Sequence, residues 1–298
     1  MSHAFERARA TSTSASLART PRNARHANAS SRRFSRARAS ASDDAEAWEK
    51  FYAAHSRNGA SADVRFFKDR HYLRRAFGEL VDADARAHPE TFRAALDPKT
   101  LGDLGCGVGN SVYPLIRANL NMRVTAVDCS PTAVATLEKS PEFDPRRVRA
   151  LVVDASEVNS MVGRVNDASM DAVTAVFFLS ALTASGMRNV AEEVRRVLRP
   201  NGVLLFRDYA RGDVKNAGDS SQFVPGLRVD SATESDQMYR RGDGTLAVFF
   251  EPSELNEVFV SVGLVGACEI VSHTVTNRKL GVTMERRFVQ GRFVKPAS

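Results

Sequence analysis

The sequence predicts an α/β protein: a doubly wound, mostly parallel sheet that ends in antiparallel C-terminal strands and is preceded by an N-terminal helical extension. Three observations predict it. From Thr100 onward, short apolar runs alternate with helical patterns, which marks a parallel sheet covered on both faces. A glycine-rich stretch, Gly105-Cys106-Gly107-Val108-Gly109, follows the first apolar run directly. Two late β-rich runs, 267–276 and 285–294, flank a turn near Gly281 and form an antiparallel pair. With 298 residues, 43% hydrophobic and 26% charged, the chain can bury the core of one main domain plus appendages.

Residues 1–42 are almost entirely Ala, Ser, Thr and Arg, with nine Arg, no Lys and the single acid Glu6. Such a stretch has too little apolar surface to fold alone. Its composition matches an organelle transit peptide of a mitochondrion or chloroplast rather than a secretory signal, because it lacks an apolar core. Arg32-Arg33-Phe34-Ser35 resembles a mitochondrial processing context and Ala37-Arg38-Ala39-Ser40 a plastid one. The other reading is a basic tail in a cytoplasmic protein, touching RNA by charge alone.

Residues 43–95 read as the helical extension. A helix over 45–54 puts Trp48 and Tyr52 four apart on one face. After a Gly/Ser/Asn-containing loop comes Phe66-Phe67-Lys68-Asp69-Arg70-His71, then an amphipathic helix to about Ala87. The main domain, 96–298, has expected strands at 100–104, 123–128, 148–153, 170–179 and 202–208. Helices are expected at 110–119, 131–139, 187–198 and 252–262. Residues 210–246 are polar and Gly-rich and too long for an ordinary connection, so they read as a functional insertion or mobile lid. Within them, Arg240-Arg241-Gly242-Asp243-Gly244 reads as a β-hairpin.

Several function classes are excluded by composition. The longest apolar run, Ala172–Leu182, falls short of the roughly 20 residues of a bilayer-spanning helix. Cys106, Cys129 and Cys268 have no disulfide-framework or zinc-ligand spacing, which implies a reducing compartment and no structural metal. The net charge of +7 invites a nucleic-acid reading, but residues 43–298 hold 33 basic and 34 acidic groups. Any basic surface on the folded part is therefore a local patch, and overall charge says nothing about RNA.

The glycine turn lies where a doubly wound sheet binds nucleotides, at the carboxyl end of the first strand. Asp128 closes the second strand, in the range where a carboxylate accepts ribose hydroxyls, and Asp154 closes the third, beside the amide of Ala155. A GxGxxG dinucleotide fingerprint requires glycine at Asn110, and Asp103 on the strand, expected near the positively charged end of S-adenosylmethionine, would repel a pyrophosphate. S-adenosyl-L-methionine fits better. Alternatively, the glycines form a tight turn without a ligand and the two aspartates cap helices or face water.

These residues carry a resemblance. Gly105–Asn110 followed by SVYPL, Asp128-Cys129-Ser130-Pro131, and above all the upstream FFKDRH resemble the tRNA 3-methylcytidine methyltransferases of the methyltransferase-like group, class I enzymes with a Rossmann-like sheet. FLSAL (178–182), VLRP (197–200), LFRDY (205–209), YRRGDGT (239–245) and the stretch 277–296 recur in order, so the resemblance covers roughly residues 46–296. It implies that Trp48 and Tyr52 close over S-adenosylmethionine and that Gly105, Asp128, Asp154, Ala155 and Val176 contact it. It further implies that Phe67, Lys68, Asp69, Arg70, His71 and Arg207 face the substrate, a tRNA loop, with a protein partner assisting recognition. Departures are Tyr72 and Ala210, where the family usually has Trp and Gly, a lengthened loop at 59–65, and an acidic 211–237 segment.

Cytosine N3 is nucleophilic at neutral pH, so methyl transfer requires positioning rather than a general base. The methylated base is a cation, which a pocket carboxylate would stabilise. Asp208 and Asp69 are the candidates; Asp208 has the alternative of a structural ion pair with Arg207. His55 and His273 have no nucleophile to serve. Two other functions stay open: a methyltransferase of the same fold acting on a small molecule or protein, and a noncatalytic RNA-binding subunit.

Overall fold

Each apolar run after Thr100 is a strand: β1 (Lys99–Leu104), β2 (Met122–Asp128), β3 (Val148–Val152), β4 (Met170–Val176) and β5 (Leu198–Tyr209). The computed structural model describes residues 41–57, 67–81, 99–213, 223–228, 238–241, 243–277 and 282–297, within the unit Ala39–Ser298. Together with β9 (Val265–Asn277) and β10 (Val282–Val294), these strands form one sheet in the order β3-β2-β1-β4-β5-β10-β9. The first five are parallel, and β10 runs antiparallel to both β5 and β9. The chain winds outward from β1 to β3 and then crosses to β4, so the strand order reverses between β1 and β4. Ligands bind at such a reversal, beyond the carboxyl ends of the strands.

Both faces are covered, which is why β1 and β4 read as nearly continuous apolar runs. On one face α3 (Val112–Ala118) and α4 (Pro131–Glu138) pack Val112, Leu115, Ile116 and Leu137 against Leu101, Val124 and Leu205. On the other, α5 (Ala184–Val197) and α6 (Pro252–Ser261) bury Val190, Val194, Leu255 and Phe259. Phe206, Phe259 and Phe293 stack between the sheet and α6. Thr183 caps α5 through Gly186 N–H, and Glu251 with Glu254 forms a reciprocal capping box on α6.

The extension is only partly as expected. α1 spans Ala41–Arg57, longer than the 45–54 reading. The amphipathic helix drawn to Ala87 is broken early: α2 covers only Leu73–Ala76, Phe77 turns extended, and a single 3₁₀ turn follows at Gly78–Leu80. Leu73, Phe77 and Leu80 anchor this segment in the core beside α3. Residues 82–98 lie outside the described residues, as do the loop 59–65 and the turn near Gly281. The fourth strand stops at Val176 rather than 179, because Phe177 adopts a left-handed φ of 53°. The described parts of 210–246 include strands of a second, three-stranded antiparallel sheet: β6 (Phe223–Arg228), β7 (Met238–Arg241) and β8 (Leu246–Val248). The expected hairpin is there. Arg241 N–H donates to Thr245 carbonyl, and Asp243 Oδ1 accepts from Thr245 N–H at 2.9 Å and its hydroxyl at 2.6 Å.

Candidate functional site

A cavity of 870 Å³ opens above the carboxyl ends of β1 to β4, near the upper end of the roughly 300–1,000 Å³ typical of small-ligand sites. Its floor is the glycine turn. Gly105 and Gly107 have φ of 66° and 53°, a conformation that favours glycine. A Cβ on Gly105 would lie 2.6 Å from the Phe178 ring, and one on Gly107 2.6 Å from the Tyr52 hydroxyl. Asp128, at the end of β2, accepts from Gly107 N–H on Oδ2 (2.8 Å) and from Ser130 N–H on Oδ1 (3.0 Å). Burial raises its pKa despite those bonds. Asp154, after β3, accepts from the Ser156 amide and hydroxyl at 2.9 and 2.6 Å. Asp128, Asp154 and Ala155 line the cavity along one side.

The roof on that side is α1. Its inward face presents Asp44, Trp48, Phe51, Tyr52 and His55 to the cavity, at helical spacing. Glu49, beside them, reaches away from the cavity to the start of α4. Its Oε2 accepts from the Ser130 hydroxyl (2.5 Å) and Thr132 N–H (3.1 Å), and Oε1 from the Thr132 hydroxyl (2.5 Å). Burial alone would raise the Glu49 pKa, but these donors outweigh it and hold the carboxyl below its usual range.

The FFKDRH segment, described from Phe67 onward, is tied to the glycine turn by Asn110, whose side chain donates to the Phe67 carbonyl (2.9 Å) and whose carbonyl accepts from Arg70 N–H (2.9 Å). Phe67, Lys68 and Arg70 line the cavity; the Phe67 ring stacks on Phe51 and stays 41% exposed. Arg70 donates to the Val176 carbonyl at 2.7 Å and lies over the Phe177 ring. Asp69 turns elsewhere: it pairs with Arg117 at 2.8 Å, with His71 at 3.8 Å. Neither Asp69 nor His71 is a lining residue. The opposite wall is Phe177, Tyr209, Phe288, Arg241, Asp243 and Arg286.

Asp208 and Arg207 alternate across β5 and do not pair with each other. Asp208 is 0% exposed and accepts from the amides of Ser180 and Tyr209, both at 2.9 Å. It lies beneath the wall rather than in it, and burial pushes it up to about 6. Arg207 is clamped between the Tyr72 and Phe288 rings at 4.9 and 4.3 Å, and burial lowers its pKa. It reaches the site only through those rings. Contrary to expectation, Asp103 does not reach the cofactor end of the cavity: it is interior, bonded to the Thr174 hydroxyl at 2.6 Å, with Oδ2 unpartnered, and burial pushes it up to about 6.

Reading the sequence missed Glu49, Phe177, Tyr209, Asp243 and Phe288. Glu49 lies one residue past Trp48, but its partners are over eighty positions away. Phe177 carries no sequence mark of its backbone twist, and β10 reaches the cavity only through its pairing with β5.

S-adenosylmethionine fits this chamber: the glycine turn admits close backbone approach, two strand-end carboxylates face the cavity, and aromatic residues roof it. A methyltransferase domain model matches residues 102–202. The chain is 35% identical over 252 residues to the tRNA N(3)-methylcytidine methyltransferase Mettl2 of Drosophila melanogaster, covering 84% of this chain and 70% of that one. It is 33% identical to the tRNA N(3)-methylcytidine methyltransferase trm141 of Schizosaccharomyces pombe, with 83% and 90% covered. With the tRNA N(3)-cytidine methyltransferase METTL6 of Mus musculus it shares 34% identity, with 84% and 80% covered. A SAM-dependent methyltransferase from Anabaena variabilis has the same fold at 13% identity and a TM-score of 0.55, over 84% of this chain and 94% of that one.

Proposed function

Because the chain belongs to the tRNA N(3)-methylcytidine methyltransferase family, we propose that it transfers a methyl group to N3 of a cytidine in a tRNA anticodon loop, forming 3-methylcytidine. The observation that carries this reading is one continuous cavity whose two walls differ in chemistry. Gly105, Gly107, Asp128 and Asp154 suit a nucleoside cofactor, and Phe177, Tyr209, Phe288, Arg70 and Arg241 suit an unstacked base with its phosphate, while Arg286 is held by Asp213 at 2.9 Å.

S-adenosylmethionine, when bound, supplies an electrophilic methyl on a sulfonium. Asp128 would hold its ribose, Asp154 and the Ala155 amide its adenine, and the glycine turn with Trp48 and Tyr52 its remaining length. The chain's contribution to the transfer is position. N3 is paired in a duplex, so the target must be a loop base turned into the chamber, where the aromatic wall stacks on it. Holding N3 aligned with the methyl carbon supplies several kcal/mol, about 7 in favourable cases. No side chain is needed to remove a proton from N3.

The test is methylation of unmodified tRNA transcripts by the purified protein, read by nucleoside mass spectrometry. Expected is 3-methylcytidine in the anticodon loop of a subset of tRNAs, abolished in Asp128→Ala. Methylation of a protein or small molecule with no RNA product would overturn the reading.

Two extensions belong to the same proposal. Residues 1–42, rich in Arg and Ser and poor in acid, support import into a mitochondrion or chloroplast. A fluorescent fusion of residues 1–42 tests it, and diffuse cytoplasmic signal would count against it. The near-neutral folded part supports a protein partner that adds tRNA affinity. Full-rate methylation of naked tRNA by protein lacking residues 1–42 would remove the need for one.

A further inference from the structure

Trp48 and Tyr52 roof the cavity, but what holds their helix down is a neighbouring side chain that faces away from it. We infer that Glu49 is a positioning residue, a latch that fastens the roof helix α1 to the ribose side of the site, so that roof closure and cofactor retention are one event. This rests on the S-adenosylmethionine reading of the cavity.

The Glu49 carboxylate takes three hydrogen bonds at the first turn of α4, from the hydroxyls of Ser130 and Thr132 and from Thr132 N–H, at 2.5 to 3.1 Å. A carboxylate at a helix N-terminus is favourably placed in the helix dipole, and charge-assisted bonds are the strong ones. Helix α4 does not depend on Glu49 for its cap: the Ser130 hydroxyl already accepts from Ala133 N–H at 3.0 Å. The Glu49 bonds therefore serve α1 more than α4.

Ser130 continues the connection inward. Its amide donates to Asp128 Oδ1, and Asp128 Oδ2 accepts from Gly107 N–H. Glu49, Ser130, Asp128 and Gly107 thus form one chain from the outer flank of α1 to the glycine floor. The Tyr52 hydroxyl, three residues from Glu49, stands over Gly107, so the helix meets the same turn twice. A ribose held by Asp128 would steady Ser130 and Thr132, the donors that Glu49 needs, and a closed α1 would in turn cover the ribose.

Trp48 is the only tryptophan in the chain, so its fluorescence reports the roof. The experiment uses the full-length protein and S-adenosylhomocysteine, following Trp48 emission by stopped flow and uptake by calorimetry, for wild type, Glu49→Ala, Glu49→Gln and Thr132→Val. Expected for Glu49→Ala is release about tenfold faster and affinity weaker by the same factor. Glu49→Gln, which keeps an acceptor without the charge, should fall between, and Thr132→Val should speed release by about threefold. KM for tRNA should stay within about twofold, because no Glu49 contact faces the base wall. Unchanged release in both Glu49→Ala and Thr132→Val overturns the latch, and Thr132→Val alone decides if Glu49→Ala does not fold. If wild type takes up no S-adenosylhomocysteine, the cofactor reading falls and the latch with it; uptake by wild type with unaltered variants removes the latch only.

Discussion

Asp103 and Asp208 are both interior carboxylates that burial pushes up to about 6. Between the ordinary value of 3.8 and 6, the folded chain keeps a proton that the unfolded chain has released, so stability falls as pH rises through that window. Above it each carboxylate carries a full penalty of about 3 kcal/mol. Asp103→Asn keeps an oxygen for the Thr174 hydroxyl and removes the titration. Melting temperatures measured from pH 4 to 6 are expected to fall less steeply in this variant, and an identical slope would exclude Asp103 as a source. For Asp208, Ala leaves the amides of Ser180 and Tyr209 buried without an acceptor. It is expected to lower Tm by about 5 °C or more, while Asn keeps most stability and loses less than about tenfold in kcat. A collapse of kcat in a well-folded Asp208→Asn would instead place Asp208 against the substrate. Asp128 and Asp154 were legible in the sequence because each ends an apolar run. Asp208 was read as a pocket carboxylate from the same kind of position, but it lies within β5, which runs on through Tyr209, and its side chain is buried.

The elements that could be read were those whose signal is local. Strand and helix periodicity placed β1 to β5 and α3 to α6 within a few residues, and in the structure α4 and α6 each begin at a proline. The segment after His71 could not be read, because its three apolar anchors, Leu73, Phe77 and Leu80, imitate a helical stripe while the backbone turns extended at Phe77. Of the β6–β8 sheet only the β7–β8 hairpin was legible, from its Asp-Gly turn; β6 was not, because it is short and pairs across polar sequence. Within the FFKDRH loop the structure separates neighbours. Asp69→Asn is expected to reduce kcat/KM less than about threefold, since its ion pair with Arg117 is half-exposed and worth under about 1 kcal/mol. Arg70→Ala, which removes a cation from the cavity and frees the Val176 carbonyl, is expected to lower it at least about a hundredfold. Equal effects would mean that the loop acts only as scaffold. Gly107→Ala should abolish cofactor uptake in calorimetry, because its Cβ meets Tyr52 and its φ is left-handed.

At the scale of the whole molecule, residues 43–298 are close to neutral while residues 1–42 are strongly basic, so the RNA affinity of the folded part has to be measured without residues 1–42. If Lys68, Arg70 and Arg241 at the cavity supply the phosphate contacts of the folded part, Arg286 being paired with Asp213 at 2.9 Å, the slope of log K against log salt for a chain lacking residues 1–42 should be about −2 to −3. Fluorescence anisotropy with labelled tRNA between about 50 and 200 mM salt measures it. A much steeper slope in the shortened chain would point to cations elsewhere on the surface. The undivided chamber has a practical consequence for inhibitor chemistry. A single compound joining a cytosine ring to an adenosine by a flexible arm could occupy both ends at once. It would surrender its freedom of tumbling only once, where separate ligands surrender theirs twice.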